Sequence, residues 1–343
     1  MQLSDFDYEL PEHLIAQEPA SEREASRMLV VHRSTGTFQD DAFVAIADHL
    51  RAYDVLVLNN TKVFPARLFG RTDTGASVEI FLVNRMSDSG WEALARPARR
   101  LKEGKLIDFG TELKGRITHG PTEGRVIIDF DFEGDFGEIL SRVGRTPLPP
   151  YIKREAGSVD KDRARYQTVY AKSSGAIAAP TAGLHFTDEV LGRIKAKGIE
   201  VVEITLHVGY GTFEPVRAND LSLHSVLPEH FEIDESAAGI LNSARNNDRR
   251  IVATGTTTTR ALETSVAKNG EFVAGPALAD LTITPGYSFK AVGALLTNFH
   301  LPQSSLLILV STFGGHELIM NTYRHAVAGG YRFYSYGDCM FIE

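Results

Sequence analysis

Short apolar runs alternate with helical patterns in the chain before about Arg67 and after about Tyr151. Residues 43–51 predict a helix, and residues 54–58 predict a buried strand after it. The later elements predicted in the same way are a helix at 190–197, strands at 202–208 and 251–253, and a helix near Leu262. Strands that alternate with helices predict a domain with a mainly α/β sheet.

Residues 70–147 have a different hydrophobic pattern, in which apolar side chains recur at every second position. The alternation is clear at 78–82 and 126–130, and glycine-containing turns separate the runs. This pattern favours a small all-β unit that resembles a barrel. We therefore expect a discontinuous α/β domain made of residues 1–69 and 148–343, with a β-barrel-like domain at 70–147 inserted into it.

The composition is that of an ordinary globular protein, with 43% hydrophobic and 23% charged residues. Its single cysteine, Cys339, excludes an intramolecular disulfide framework and a multi-cysteine metal site. The sequence has no His-Glu-x-x-His motif, no apolar run that would span a bilayer and no secretory signal at its N-terminus. We therefore expect a cytoplasmic protein that holds no metal and does not bind a membrane.

The formal net charge of -8 argues against a nucleic-acid partner, because such binding usually depends on Lys and Arg that neutralise phosphates. The distribution of charge is uneven, however, and basic residues cluster at 96–105 and 142–165. These clusters are either a local phosphate-binding surface or two solvated, charge-balanced surfaces. The candidate RNA-binding residues are Arg99, Arg100, Lys153, Arg154 and Arg165.

Polar residues follow several predicted strands, and ligands of open α/β sheets bind at such strand ends. On the strand at 202–208, Glu203 and His207 share the face opposite the apolar one. Each segment alone is consistent with a capped turn, whereas together they indicate the rim of an active site. The other residues at these strand ends are Asn59, Asn60, Lys62, Gly209, Gly211, Thr212, Phe213, Asn298, Phe299 and His300.

Two further segments suit a ligand. Residues 255–259, rich in threonine, lead into a helix, so their N–H groups and hydroxyls either cradle a carboxylate or phosphate beside Arg260 or simply cap the helix. Small residues at 178–183 allow a ligand or another backbone to approach closely, and Gly183 could adopt a positive φ there. His185 follows this segment and is either catalytic or packed.

No P-loop, strand-linked G-x-G-x-x-G or G-x-S-x-G motif is found, which weakens a hydrolase interpretation.

Short motifs spread over essentially the whole chain resemble the S-adenosylmethionine:tRNA ribosyltransferase-isomerase family of queuosine biosynthesis. Each motif is short, but their joint order and spacing are highly specific. The main ones are YELP at 8–11, LVLNNTKV at 56–63, PARL at 65–68, PLPPYI at 147–152, YQTVY at 166–170, AAPTAGLHF at 178–186, TLHVG at 205–209, GTF at 211–213, GTT at 255–257, LTNFHLP at 296–302 and SYGD at 335–338.

Two positions depart from the family pattern. The family commonly has His-x-Met-His-x-Glu after the Gly-Thr-Phe motif, whereas here His224 and Glu229 flank Leu227, which replaces the second histidine. Gly293 stands where the family usually has Asp. A role for that second histidine therefore does not carry over to this chain.

The resemblance implies a reaction in which the ribosyl group of S-adenosylmethionine is transferred to 7-aminomethyl-7-deazaguanine at the wobble position of a tRNA and isomerised. The implied products are epoxyqueuosine-tRNA, adenine and methionine. S-adenosylmethionine would be consumed as a substrate, with no other cofactor, no metal and no obligate protein partner. The implied fold is an α/β domain that carries an inserted β-barrel, with the site near their junction and a monomeric state.

Such chemistry needs a base beside the sulfonium-activated ribose carbon, assistance to the departing adenine, and an acceptor amine in its free form. The candidate catalytic residues, whose roles stay open, are His185, His207, Glu203, His300 and Asp338. An aromatic face such as Phe213, Tyr336 or Phe299 would suit the sulfonium. The remaining candidate substrate-binding residues are Asn59, Asn60, Lys62, Arg67, Tyr166, Thr181, Gly183, Gly209, Gly211, Thr212, Thr256, Thr257, Arg260 and Asn298.

Two other functions stay possible at this point. One is an enzyme that acts on a free nucleotide and uses the threonine-rich segment for phosphate, and it would be active without tRNA. The other is a non-catalytic RNA-binding protein, which would bind tRNA without releasing adenine.

Overall fold

The structure, a computed structural model, describes residues 1–154, 161–209, 211, 216 and 218–343. Its strands are β1 (Arg27–His32), β2 (Thr37–Ala42), β3 (Val55–Asn59), β4 (Thr61–Val63), β5 (Arg67–Thr72), β6 (Ser77–Arg85), β7 (Gly90–Arg96), β8 (Leu106–Asp108), β9 (Lys114–Thr122), β10 (Arg125–Asp131), β11 (Ser173–Ala176), β12 (Glu200–Leu206), β13 (Glu229–Ile233), β14 (Ile251–Thr254), β15 (Gly275–Ala279), β16 (Ala294–Asn298) and β17 (Cys339–Ile342). Its α-helices are α1 (Ile46–His49), α2 (Phe136–Val143), α3 (Asp162–Arg165), α4 (Asp188–Ala196), α5 (Glu235–Asn246), α6 (Thr256–Asn269), α7 (Ser305–Gly314) and α8 (His316–Ala328).

A nine-stranded mixed sheet forms the centre of the α/β domain, in the order β15-β13-β12-β3-β14-β16-β17-β1-β2. Its middle strands β12, β3, β14 and β16 are mutually parallel, so their carboxyl ends meet at one edge of the sheet. The prediction of an α/β domain is therefore confirmed, and its sheet is parallel in the centre and mixed overall, since β13, β15 and β2 pair antiparallel and β17 pairs antiparallel with β16.

The side chains of β3 show why this strand lies in the centre. All five of its residues are buried, and successive residues enter different hydrophobic clusters on the two faces of the sheet. Val55 and Val57 pack on one face, whereas Leu56 and Leu58 pack on the other. A continuous apolar run is what a parallel strand covered on both faces requires.

The second unit is a closed barrel in the order β10-β7-β6-β5-β8-β9. Alternate residues of β6, Val78, Ile80 and Leu82, are buried in its core, which explains the period of two in the sequence. The prediction of an inserted β-barrel is confirmed. Its strands begin at Arg67 and end at Asp131, and α2 covers the barrel beside the α/β domain. The domain boundaries proposed from the sequence stay a prediction.

Two further observations concern the described residues as a set. Every helix among them is too short or too polar to span a bilayer. No group of three or more His, Cys, Asp and Glu side chains in the described ranges is arranged to hold a metal ion.

Candidate active site

A cavity of about 380 Å³ opens at the carboxyl edge of the parallel strands, and we call it the strand-end cavity. Its walls come from residues 178–182 of the small-residue segment, the start of α6, the residues after β16, and three tyrosines, Tyr151, Tyr166 and Tyr334. This is the position at which open α/β sheets bind ligands. Its size and largely apolar lining match a site for a small organic molecule.

Asn298, the last residue of β16, provides a polar group in this wall. Its side chain is 2% exposed, and its amide nitrogen donates to the carbonyl oxygen of Tyr334 at 3.1 Å. Its Oδ1 atom has no hydrogen-bond partner among the described residues. A buried carbonyl oxygen without a partner is costly, so this atom is suited to accept a hydrogen bond from a ligand.

The start of α6 supplies a second polar feature. Gly255 precedes the helix with a φ of 93°, and the backbone then turns so that Thr256 and Thr257 line the cavity. The threonine-rich segment is thus mostly helical, and the hydroxyls of Thr258 and Thr259 donate back to carbonyl oxygens one turn earlier. The N–H groups of the first turn have no partner within the helix, and they favour an anionic group of a ligand.

The small-residue segment forms another wall of the strand-end cavity, where Thr181 lies. The expectation that Gly183 adopts a positive φ is wrong, because it is not among the positive-φ glycines. Glycine is required there for space: a Cβ atom would lie 2.1 Å from the hydroxyl oxygen of Tyr170. Gly183 therefore lets Tyr170 pack against the segment, and it does not line either large cavity.

Aromatic side chains that the sequence did not single out complete the cavity. The rings of Tyr151 and Tyr334 lie 3.9 Å apart between centroids, and the hydroxyls of Tyr151 and Ser335 are 2.6 Å apart. Tyr334 and Gln303 have positive φ angles of 74° and 55°, and both line the cavity. Strained backbone of this kind is common at functional sites.

The aromatic candidates for a cation have different positions. Phe299 lines the strand-end cavity, as does the substrate-binding candidate Tyr166, although both side chains are fully buried. Tyr336 does not line it, because its hydroxyl donates to Asp162 Oδ1 at 2.8 Å in a neighbouring cluster. Thr212 and Phe213 lie outside the described residues.

His300 and His185 are both buried near this cavity. His300 lines it, and its Nε2 lies 2.9 Å from Thr297 Oγ1; burial lowers the pKa of His300 to about 3. His185 lies behind the wall with its ring nitrogens at 3.0 Å from Ser26 Oγ and 3.2 Å from Asn298 Nδ2. Burial lowers the pKa of His185 to about 4. Both imidazoles are therefore neutral at neutral pH.

A second cavity of about 840 Å³ lies between the barrel and the α/β domain, and we call it the junction cavity. The barrel contributes Trp91, α2 contributes Phe136, and His207 and Gly209 come from the end of β12. Val208 lines both cavities. Val208, two residues past the end of β12, is therefore a shared wall of the two cavities.

Other candidate residues near β12 form a network beside the cavities. Glu203 accepts hydrogen bonds from Lys172 at 2.7 Å and from Asn60 at 3.1 Å, so its carboxylate is paired. Asn59 is buried and bonds through both amide atoms to the backbone of Leu206. Asn59 thus holds β3 to the end of β12.

Three charged candidates are held by other protein groups. Asp338 accepts from the backbone nitrogens of Arg27 and Arg332 at 3.0 and 2.8 Å. Arg260 is buried and pairs with Glu229 at 3.0 Å, so it joins α6 to β13. Arg67 pairs with Glu79 on the barrel at 3.1 Å.

The remaining candidates differ in exposure. Lys62 is exposed and lines a smaller cavity of about 290 Å³ that adjoins α2. Gly211 packs close to Leu227, since a Cβ atom on this glycine would lie 3.0 Å from that of Leu227.

The two basic clusters also differ. Arg99 and Arg100 are exposed on the barrel. Arg154, by contrast, forms two hydrogen bonds to Asp162 at 2.7 and 2.9 Å, and Arg165 donates to the carbonyl oxygens of Ala20 and Ser21. Lys153 pairs with Glu12 at 2.7 Å on the surface. The second cluster is thus largely neutralised within the protein.

A closed barrel is inserted into an α/β domain, one cavity lies at the carboxyl edge of the sheet and a second lies at the junction with the barrel. These features define the class: an α/β enzyme whose site lies at a sheet edge. A sequence model of the family described as "Queuosine biosynthesis protein" matches residues 3–342. The chain belongs to this family, that of the S-adenosylmethionine:tRNA ribosyltransferase-isomerases, and is a transferase and isomerase of tRNA modification.

Individual relatives agree with this assignment. Proteins named S-adenosylmethionine:tRNA ribosyltransferase-isomerase from Syntrophotalea carbinolica and Symbiobacterium thermophilum are each 48% identical to this chain over the full length of both sequences. The crystal structure of S-adenosylmethionine tRNA ribosyltransferase from Thermotoga maritima is 36% identical, covers 99% of this chain and all of its own, and superposes with a TM-score of 0.56.

Proposed function

We propose that the protein transfers the ribosyl group of S-adenosylmethionine to 7-aminomethyl-7-deazaguanine at the wobble position of a tRNA and isomerises it. The products are epoxyqueuosine-tRNA, adenine and methionine. The observation that supports this most is the strand-end cavity with its buried, unpaired Asn298 Oδ1 and the adjoining start of α6. The names of the relatives supply the two substrates.

S-adenosylmethionine fits the chemistry of the strand-end cavity. Asn298 Oδ1 suits the exocyclic amino group of adenine, which donates hydrogen bonds. The N–H groups at the start of α6 suit the carboxylate of the methionine part. The aromatic faces of Tyr151 and Tyr334 suit the sulfonium cation, since a ring face attracts positive charge.

The acceptor base of the tRNA fits the junction cavity. Sequence-specific RNA recognition usually takes an unstacked base out of a loop and packs it against aromatic side chains. Trp91 and Phe136 offer such faces, and the cavity is wide enough for a nucleotide. Because Val208 lines both cavities, a base in one and a ribosyl group in the other would meet at the end of β12.

The catalytic candidates divide between the two cavities. His300 lines the strand-end cavity, and His185 acts on it through Asn298. His207 lines the junction cavity. Glu203 and Asp338 line neither cavity and are tied to other protein groups. We therefore assign the proton transfers to His300 and His207, a positioning role to His185, and structural roles to the two carboxylates.

The test is to incubate the protein with S-adenosylmethionine and tRNA that carries the precursor base, and to measure adenine, methionine and the modified tRNA. We expect all three in equal amounts. Adenine formed equally well from a free nucleoside precursor would favour an enzyme of free nucleotides, and binding of tRNA without adenine would favour a non-catalytic RNA-binding protein. The proposal includes a cytoplasmic location and a monomer without an obligate protein partner.

A further inference from the structure

A hydroxyl group holds one nitrogen of the His207 ring. Thr61 Oγ1 lies 2.8 Å from His207 Nδ1 and 3.4 Å from the carbonyl oxygen of Ser173. A carbonyl can only accept, so when the hydroxyl of Thr61 donates to Ser173 it accepts the proton of Nδ1, and Nε2 carries the lone pair of the ring. When the hydroxyl donates to Nδ1 instead, the ring proton is on Nε2.

The backbone of β11 holds the same ring from one side. Gly175 has a φ of 156°, and a Cβ atom there would lie 2.7 to 2.8 Å from three atoms of the His207 ring. Only glycine lets the backbone lie this close, so Gly175 and Thr61 together set the orientation of the imidazole. Nε2 has no hydrogen bond to any described residue, and His207 lines the junction cavity.

The acceptor in the proposed function, on which this inference rests, is a primary amine. An alkylammonium such as that of lysine has a pKa of about 10, so only about 0.1% is in the free form at pH 7. The ammonium form has no lone pair and cannot attack the ribosyl group. A base in the junction cavity would remove this limitation.

We propose that His207 carries its ring proton on Nδ1, that its Nε2 removes a proton from the acceptor ammonium, and that Thr61 and Gly175 are positioning residues for this step. An N–H bond of the ammonium breaks, an N–H bond to Nε2 forms, and the electron pair stays on the amine nitrogen. That nitrogen then forms the bond to the ribosyl group. The imidazolium returns its proton to solvent through the open junction cavity.

The surroundings keep His207 able to accept a proton. Burial, and then the nearby His230, lower the pKa of His207, whereas Glu232 acts in the opposite direction. The neighbouring strands β4 and β11 present uncharged Thr61, Ser174 and Gly175. The other titratable groups around the junction cavity are Glu229 on β13, Arg85 and Asp88 on the barrel, and Asp135 before α2.

The pH dependence of single-turnover formation of modified tRNA tests the proposal. We expect the parent rate constant to rise with pH and level off once His207 is neutral. His207→Gln should lower the rate at pH 7 by about 100- to 10,000-fold. The rate constant of His207→Gln should not level off but should rise about tenfold per pH unit, because only acceptor amine that has already lost its proton to solvent reacts in this variant.

Three further variants complete the test. Thr61→Val and Gly175→Ala keep the imidazole but misplace it, so we expect the rate to fall about 10- to 100-fold while the plateau remains. His325→Gln changes a histidine on α8 that pairs with Asp40 at the surface, and it should keep the parent rate. Binding of S-adenosylmethionine should be the same in all four variants.

The outcomes separate this inference from the proposed function. If the parent protein forms no adenine with precursor tRNA, the proposed function is wrong and the inference falls with it. If the parent is active and the rate constant of His207→Gln levels off at the same pH as that of the parent, His207 is not the base, whatever the absolute rate. The proposed function then stands. A plateau lost in His207→Gln but kept in His325→Gln supports the inference.

Discussion

At the scale of single residues, Asn298 is the candidate best suited to bind a ligand, because its buried Oδ1 has no partner among the described residues. We expect Asn298→Ala to raise the dissociation constant of S-adenosylmethionine about 5- to 30-fold, which corresponds to about 1 to 2 kcal/mol for the lost hydrogen bond. Isothermal titration calorimetry measures this. Asn321→Ala on the exposed face of α8 is the matched control, and it should bind as the parent does. Unchanged affinity together with a lower melting temperature would show that Asn298 is only structural.

The buried histidines predict how stability depends on pH. Burial lowers the pKa of His185 to about 4 and that of His300 to about 3, from an ordinary value of 6.5. The unfolded chain therefore binds protons below pH 6.5 that the folded protein excludes. Each histidine should lower the free energy of unfolding by up to about 1.4 kcal/mol per pH unit as the pH falls from 6.5 towards its folded value.

Denaturant unfolding measured between pH 7 and 4 checks this prediction. His300→Gln should be less stable at pH 7 but should lose less stability on acidification, because one of the buried histidines that exclude a proton is gone. The exposed His13→Gln is the control and should follow the parent curve. An identical loss in His300→Gln and the parent would contradict a neutral, buried His300.

At the scale of elements, the start of α6 depends on a backbone conformation that glycine provides. Gly255 has a φ of 93°, and a Cβ atom there would meet no other atom within 3.8 Å, so the cost of Gly255→Ala is conformational and not steric. We expect this change to lower the free energy of unfolding by about 1 to 2 kcal/mol. It should also weaken binding of S-adenosylmethionine, since it disturbs the first turn of α6.

A matched glycine gives the control for this prediction. Gly192 lies inside α4, and a Cβ atom there would have nothing within 4 Å, so Gly192→Ala should stabilise the protein by about 0.5 to 1 kcal/mol. Thermal unfolding of the two variants shows whether Gly255→Ala lowers the stability while Gly192→Ala raises it. Titration with S-adenosylmethionine shows whether only Gly255→Ala weakens binding. A Gly255→Ala protein as stable as the parent, with normal binding, would show that the φ of this residue is not needed.

Element type could be predicted from the sequence wherever the hydrophobic period was unambiguous. The period of two in β6 reflects a barrel with one buried face, and the unbroken apolar run of β3 reflects a strand covered on both faces. The threonine-rich segment was harder to interpret, because threonine suits both a loop and the first turn of a helix. The structure shows that the helix begins at Thr256.

At the scale of the whole molecule, the site combines residues that no local pattern connects. Tyr151 and Tyr334 meet in one wall of the strand-end cavity although more than half of the chain separates them. The junction cavity exists only because the barrel packs on the end of β12, so Trp91 and Phe136 could not be recognised as site residues from the sequence. Asn298, His300 and His207 could be recognised as site residues from the sequence, because they lie at or after the ends of predicted strands, and the carboxyl ends of parallel strands share one edge of the sheet.

The exposed basic residues of the barrel predict how tRNA binding responds to salt. If about four phosphates are contacted, the logarithm of the binding constant should fall with the logarithm of salt concentration at a slope of about -3 to -4. Arg99 and Arg100 are exposed, whereas Arg154 and Arg165 are bonded to protein groups, so the first pair should contribute more. Replacing both Arg99 and Arg100 by Gln should reduce the size of the slope by about 1.4 to 1.8.

Fluorescence anisotropy of labelled tRNA over a range of salt concentrations measures this slope. The control is a protein that carries Lys268→Gln and Arg324→Gln, which removes the same charge from exposed helical positions away from the barrel. A slope reduced equally in both variants would mean that only net charge matters. A flat salt profile in the parent would exclude a phosphate-binding surface on the barrel, and recognition of tRNA would then depend on the base bound in the junction cavity.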